Sequence, residues 1–404
     1  MPSLRLLLRP LSLAAVAAAA LLLASCGGGG DGAAPAPAFP PSSTLANMCT
    51  LDGQQKFVRS FMDETYLWYD EIPSVNAADY STVPAYFNAL LVKTPDSTGQ
   101  PRDRFSAVLT SSSANMLQMV TSDRVLGAGV PPDLLAATAG SVPLSRVVTS
   151  PNGRRVGYIL FNDHNQGAQD QLIAAFESLR AGGVQDLVLD MRYNTGGFLY
   201  VAQTAAAMVT GPQSEGRIFE QLRFSAKRQA ETNASTYYFS SRLQTAETTY
   251  PSGAALPQLN LPRLYVLSSG QTCSASESII NSLRGIDVEV ILVGGTTCGK
   301  PYGFHRKDNC GLAFFAIEFQ GYNAKNFGDY AGGIKATCPV ADNFLSVLGS
   351  TSEPLLAGAL HHIDTGSCPA PSASKGIPPL SLPGAVREHA PAAVRQPVDG
   401  RLLR

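Results

Sequence analysis

Three stretches of the chain set reactive side chains or backbone amides beside small-residue turns. In "SSGQTCSASESIINSLRG" (268–285), Ser274 stands directly before an amphipathic run carrying Ile279, Ile280 and Leu283. Free N–H groups and a partial positive charge gather at a helix N-terminus. A hydroxyl placed there could attack a carbonyl while the Ala275 amide stabilises the oxyanion. The same residues also read as a helix cap, since Ser274 and Glu277 form an S-x-x-E capping box. "GGTTCGKPYG" puts Lys300 on a glycine-flanked turn after an apolar run. At a surface this lysine is a solvated charge; shielded from water beside a serine, it could lose its proton and serve as a general base. "DMRYNTGG" ends a third apolar run with Gly196 and Gly197. Their amides could approach a ligand, although a tight turn explains the pair as well.

The elements that must hold these turns follow a strand–helix rhythm. "RRVGYILFN" predicts a strand over 155–162, and "GAQDQLIAAFESLRAGG" a helix buried through Leu172, Ile173, Phe176 and Leu179. "QDLVLDMR" reads as a strand covered on both faces, followed by a helix over 198–209. The pattern resumes with strands at 261–269 and 288–295 around the Ser274 helix. This is the βαβ alternation of a layered α/β domain, which places its sites where strands end. Residues 311–323 predict a further strand, antiparallel to a neighbour, and 212–260 an excursion of hairpin or helical arm. Phe57, Phe61 and Trp68 lie near helical spacing in a small helical segment over 50–110. Residues 111–153 predict small strands or coil, and the Pro/Ala/Ser-rich stretch 369–404 little order.

Charge and cysteine content narrow the function classes. Thirty basic residues nearly balance 31 acidic ones without a dense basic patch, which argues against a nucleic-acid partner. The first residues carry Arg5 and Arg9, an apolar run and then small residues up to Cys26, the architecture of an export signal. Leu23-Ala24-Ser25-Cys26 resembles the bacterial lipobox, whose cysteine is lipidated. The flexible linker that follows is expected over 27–49, so the chain is expected to be lipid-anchored in the bacterial envelope, facing the periplasm and leaning to the outer membrane. Six cysteines remain after Cys26, an even number suited to disulfides in an exported chain. Fifteen pairings are possible; Cys298–Cys310, which would close a short loop, is the expected one. No CxxC pair or histidine cluster supports a metal.

Taken together, "LVLDMRYNTGGFL", "YVLSSGQTCSASESI" and "ILVGGTTCGKPYG" resemble the bacterial tail-specific, or carboxyl-terminal processing, proteases over roughly 150–345. The resemblance implies a crotonase-like or ClpP-like α/β core over 154–368 behind the small helical domain. It makes Ser274 the nucleophile and Lys300 the general base of a serine endopeptidase, with Ala275 and Gly196 or Gly197 as the oxyanion hole. Peptide bonds would be the substrate class, with no cofactor. Two departures stand out. Many members carry a glutamine four residues after the lysine, where this chain has Phe304. His305 and His164 are possible auxiliary residues, as is Glu277. The stretch before the core, about 45 residues, is also too short for the family's PDZ domain of about 90 residues, which is expected to be degenerate or absent. The alternative is a non-catalytic lipoprotein holding a peptide or apolar ligand on the same scaffold.

Overall fold

The computed structural model describes residues 39–119, 140–343, 346–370 and 401–402. The tether expected over 27–49 is described from Phe39 onward, where helix α1 (Ser42–Leu45) is tied to the next helix by Ser42, whose amide donates to Glu64 at 2.7 Å. Helix α2 (Leu51–Thr65) starts at Thr50, whose side chain accepts from the Gly53 amide, and turns Phe57, Val58, Phe61 and Met62 inward. The Phe57 and Phe61 rings stack 6.0 Å apart and both meet Phe314. The aromatics of this segment are therefore core residues. Helix α3 (Val83–Ala89), capped by Thr82, strand β1 (Ala107–Thr110) and helix α4 (Ser111–Met119) complete the N-terminal region. Of the stretch expected to hold a PDZ remnant, 120–139 lies outside the described residues.

A six-stranded sheet carries the core. Strands β2 (Leu144–Thr149), β3 (Arg155–Leu160) and β4 (Asp186–Asp190) are its first members in sequence, with helix α5 (Ala168–Ala181) between the last two and α6 (Leu199–Val209) after them. The excursion over 212–260 contains β5 (Ile218–Phe224), the short helix α7 (Gln229–Ala234) and β6 (Thr236–Tyr238), with β5 and β6 antiparallel. The chain returns through β7 (Arg263–Ser268), helix α8 (Ala275–Gly285) and β8 (Glu289–Gly294). Strands β9 (Tyr302–Phe304), β10 (Lys307–Asn309), β11 (Leu312–Phe315), β12 (Phe319–Tyr322) and β13 (Cys338–Pro339) follow, then helix α9 (Pro354–Thr365) and β14 (Arg401–Leu402).

The main sheet runs β13-β8-β7-β4-β3-β2, parallel except for the antiparallel edge strand β2. Alternate residues serve opposite faces. Ile159, Leu187, Leu189, Val266 and Leu292 pack with the buried sides of α5, α6 and α8. Their neighbours Tyr158, Val188, Leu267, Ile291 and Val293 pack against Leu355, Leu356, Ala359 and Leu360 of α9. Burial on both faces explains why these strands read as unbroken apolar runs.

The strand expected over 311–323 is two strands in two sheets. β11 lies between β1 and β10, while β12 lies between β9 and β5. The break falls at Ala316–Glu318: the Ile317 amide donates to Ser106 Oγ, its carbonyl accepts from the Leu67 amide, and Glu318 turns to Arg228. The first two bonds couple the core to the N-terminal region, and the third ties it to the excursion. The tail expected over 369–404 falls outside the described residues from 371 to 400, and Arg401–Leu402 pair in parallel with β9.

The expected Cys298–Cys310 bridge is corrected. Cys298 pairs with Cys273, Cys310 with Cys49, and Cys338 with Cys368. Cys310 sits at the turn between β10 and β11, beside the segment that enters α2, and Cys298 belongs to a separate loop that meets Cys273.

Candidate active site

Three loops at the C-terminal ends of β4, β7 and β8 converge. The first, after β4, bends through Gly196 and Gly197, whose φ angles of 106° and 136° lie where side chains are strained. A Cβ on Gly196 would come within 3.1 Å of the Ala275 amide and 3.0 Å of Ser274 Cβ; one on Gly197 would strike the His164 carbonyl oxygen at 2.8 Å. The glycines are there because two backbones press against the turn. Gly196 N–H is occupied by Asn194 Oδ1 at 3.0 Å. Among the described residues, no acceptor meets the amides of Gly197 and Ala275.

Ser274 has φ 56° and ψ −113°, an uncommon conformation for a residue with a side chain and of a kind that gathers at functional sites. Neighbouring bonds hold it: Cys273 N–H donates to the Asn194 carbonyl at 3.0 Å, and Ser274 N–H donates to Glu277 Oε2 at 2.9 Å. The expected capping box is made: Glu277 reaches back to the Ser274 amide, and the Ser274 side chain faces the Glu277 amide without closing a full hydrogen bond. The Ser274 hydroxyl itself is buried without a hydrogen-bond partner.

Glu277 links the other loops to this one. Its Oε1 accepts from Thr297 Oγ1 at 2.5 Å and Gly299 N at 2.9 Å, and the Oε2 that holds Ser274 N also accepts from Lys300 N at 2.8 Å. Burial pushes the carboxyl up from its usual value, and the bonds from Thr297, Lys300, Gly299 and Ser274 oppose that rise. Three of the four donors are amides, which can only donate, so the arrangement suits an ionised carboxylate. The Cys273–Cys298 disulfide joins the same two loops, with Cα atoms 5.2 Å apart.

Lys300 is 2% exposed, with Nζ 4.8 Å from the ring centre of Phe304 and 5.2 Å from that of Phe105. Phe304, at the position where the resemblance led to the expectation of a glutamine, presents a ring face to the amine rather than a hydrogen-bonding amide. Phe105 has no motif in the sequence that marks it as a site residue; it reaches Lys300 only through the fold.

His164 and His305 occupy different settings. His164 is fully buried, and its Nδ1 meets Asn194 Oδ1 at 3.0 Å. Asn194 Nδ2 donates to the Phe161 carbonyl, so Oδ1 faces both His164 and Gly196 N–H. Burial holds the His164 imidazole far below its usual value, at about 3, against opposing bonds to Asn194 and Gly196. The ring is neutral at pH 7, protonated on Nδ1, and its Nε2 has no partner. It buttresses the glycine turn. His305 pairs instead with Glu318 at 3.0 Å beside Arg228, and stacks on Phe224. Asn194, the hub of the first loop, was not singled out from sequence because its role exists only once the loops meet.

The sequence matches the family described as Peptidase family S41 over residues 155–333 and the Peptidase S41 N-terminal domain over 53–107. A structure from Bacteroides fragilis described as an S41 protease aligns with a TM-score of 0.57 at 22% identity, covering 77% of this chain and 97% of that one. A lipoprotein from Streptococcus agalactiae aligns at TM-score 0.44 and 9% identity, covering 74% and 91% of the two chains. A chain from Parabacteroides merdae described as a peptidase gives 0.39 and 16%, covering 71% and 88%. The comparison with curated proteins gave no match. With its core and N-terminal region both matched, over more than half of its length, the chain belongs to peptidase family S41.

Proposed function

We propose that this chain is a serine endopeptidase that hydrolyses peptide bonds of envelope proteins through Ser274 and Lys300. The observation that carries the reading is the single oxygen, Glu277 Oε2, that holds the backbone of both residues. In the reaction, Lys300 acting as the base takes the proton from Ser274 Oγ as the oxygen attacks the substrate carbonyl carbon. The oxyanion lies between the amides of Ala275 and Gly197, since Gly196 N–H is already engaged by Asn194. Collapse breaks the C–N bond, and Lys300 returns the proton to the leaving amine. Water then attacks the acyl-enzyme, Lys300 again acting as the base, and frees Ser274. The scheme calls for no cofactor.

Ser274 is buried, so a peptide reaches it only when covering segments give way. An extended substrate could add to a sheet edge. The edge of β9, which begins two residues after Lys300, already pairs with Arg401–Leu402.

Phe304 and the unbonded Ser274 hydroxyl favour the second reading, a ligand-holding protein without turnover. Incubating the full chain with an unfolded protein separates the two. The peptidase account expects cleavage that is lost in both Ser274→Ala and Lys300→Ala; equal or absent cleavage in all three proteins supports ligand holding. Lipid anchoring through Cys26, with the domain facing the periplasm from the outer membrane, belongs to the same proposal. Fatty-acid labelling that persists in Cys26→Ser would remove it.

A further inference from the structure

The nucleophile and base loops are fastened twice, once by Glu277 and once by the Cys273–Cys298 disulfide. Cys273 directly precedes Ser274, and Cys298 lies two residues before Lys300. Cys298 Sγ lies 3.5 Å from Glu277 Oε2; with its sulfur in a disulfide this is a contact rather than a hydrogen bond. The Cys298 amide donates to the Thr272 carbonyl at 3.0 Å, so the covalent link and the backbone bond cross the same gap. Together they limit the slide and twist of one loop against the other, motions that would change the distance between the two reacting side chains.

We propose that the Cys273–Cys298 disulfide is a positioning element that holds Ser274 and Lys300 in register for proton transfer, beyond any share it has in overall stability. The proposal rests on the peptidase reading, but its geometric part can be tested without turnover. A misplacement of about 1 Å can cost on the order of 10²-fold in rate while substrate binding is spared.

The molecule contains a matched control. Cys338–Cys368 spans 30 residues against 25 for Cys273–Cys298, so the two loops should confer similar chain-entropy stabilisation. Cys338–Cys368 links β13, which pairs with the end of β8, to the segment after α9, and neither cysteine belongs to the three converging loops. The test compares full-length Cys273→Ser/Cys298→Ser with Cys338→Ser/Cys368→Ser for melting temperature, kcat and KM. We expect similar losses of melting temperature, with kcat falling about 100-fold and KM changing less than about threefold only in the first variant. Equal kcat losses in both, or a kcat kept within about twofold in the first, overturn the proposal. Amide hydrogen exchange over 272–276 and 297–300 provides a second reading even if the wild-type chain cleaves nothing. Exchange accelerated there in the first variant but not in the control supports the clamp, and unchanged exchange refutes it.

Discussion

Two buried acidic systems adjoin the turn after β4, and they are satisfied in opposite ways. At the strand end, the fully buried Arg192 guanidinium lies 2.9 Å from Asp190, 2.8 Å from Glu353 and 2.9 Å from Asp342. Tyr158 adds a hydroxyl bond to Asp190 at 2.7 Å. Burial alone would lower the Arg192 pKa, but attraction to these carboxylates raises it well above its usual value. Across the turn, Glu277 has neutral donors, three amides and a hydroxyl, in place of a cation among its hydrogen bonds. The first system fastens regular elements, the end of β4 and the N-cap of α9, where Glu353 also accepts from two amides of that helix. The second fastens loops. A cation close to Glu277 would compete for the carboxylate that orders those loops, whereas neutral donors fix their geometry without that competition. Charge pairing here holds the scaffold, and amide bonding holds the loops that carry Ser274 and Lys300.

The comparison breaks most visibly at Arg192. Arg192→Met leaves the facing carboxylates without their counter-charge and should cost about 3–5 kcal/mol in urea unfolding. A change below about 1 kcal/mol would show that the cluster does not carry the scaffold. Glu277→Gln should act the other way round. Its amide nitrogen would face two donors, costing about 1–3 kcal/mol of stability and lowering kcat by about 10²-fold or more. Activity retained in this variant would separate Glu277 from the placement of the two reacting residues.

His164 sits at the boundary, bonded to the Asn194 that both braces the turn and receives Cys273 N–H. Its folded pKa of about 3 lies below the unfolded value of 6.5, so the unfolded chain binds the extra proton. The resulting stability is fully present above pH 6.5 and drains away as pH falls toward 3, by up to about 1.4 kcal/mol per pH unit. Melting temperatures of wild type and His164→Asn should therefore converge as the solution is acidified; parallel curves would deny the imidazole this environment. Smallest of all is the exposed Lys56–Asp52 pair on α2. Lys56→Ala should shift stability by less than about 0.5 kcal/mol, and a larger loss would blur the contrast between surface and buried charge.

Much of the layered core was legible because its strands are buried on both faces, so β3, β4, β7 and β8 stand out as apolar runs between helices. Ser274 and Lys300 stand out as candidates in the sequence because each follows such a run on a small-residue turn, and the loops that carry them do converge. What escaped depends on loops meeting in space. The partner of Cys298 lies 25 residues away in another loop, and no local spacing distinguishes it from Cys310. The single strand expected over 311–323 failed because Ala316 and Ile317 continue the apolar pattern while the backbone changes sheets. "LVLDMR" carried a signal that went unread: two opposite charges ending a run of buried residues imply a buried ion pair, the one Arg192 makes.

The most direct measurement is the fate of Ser274 when the intact chain meets a fluorophosphonate that modifies activated serines. Mass spectrometry should find one adduct, on Ser274, in the wild-type chain and a rate of labelling that collapses in Lys300→Ala. An unlabelled Ser274, or labelling at the same rate without the lysine, would contradict the account at its centre.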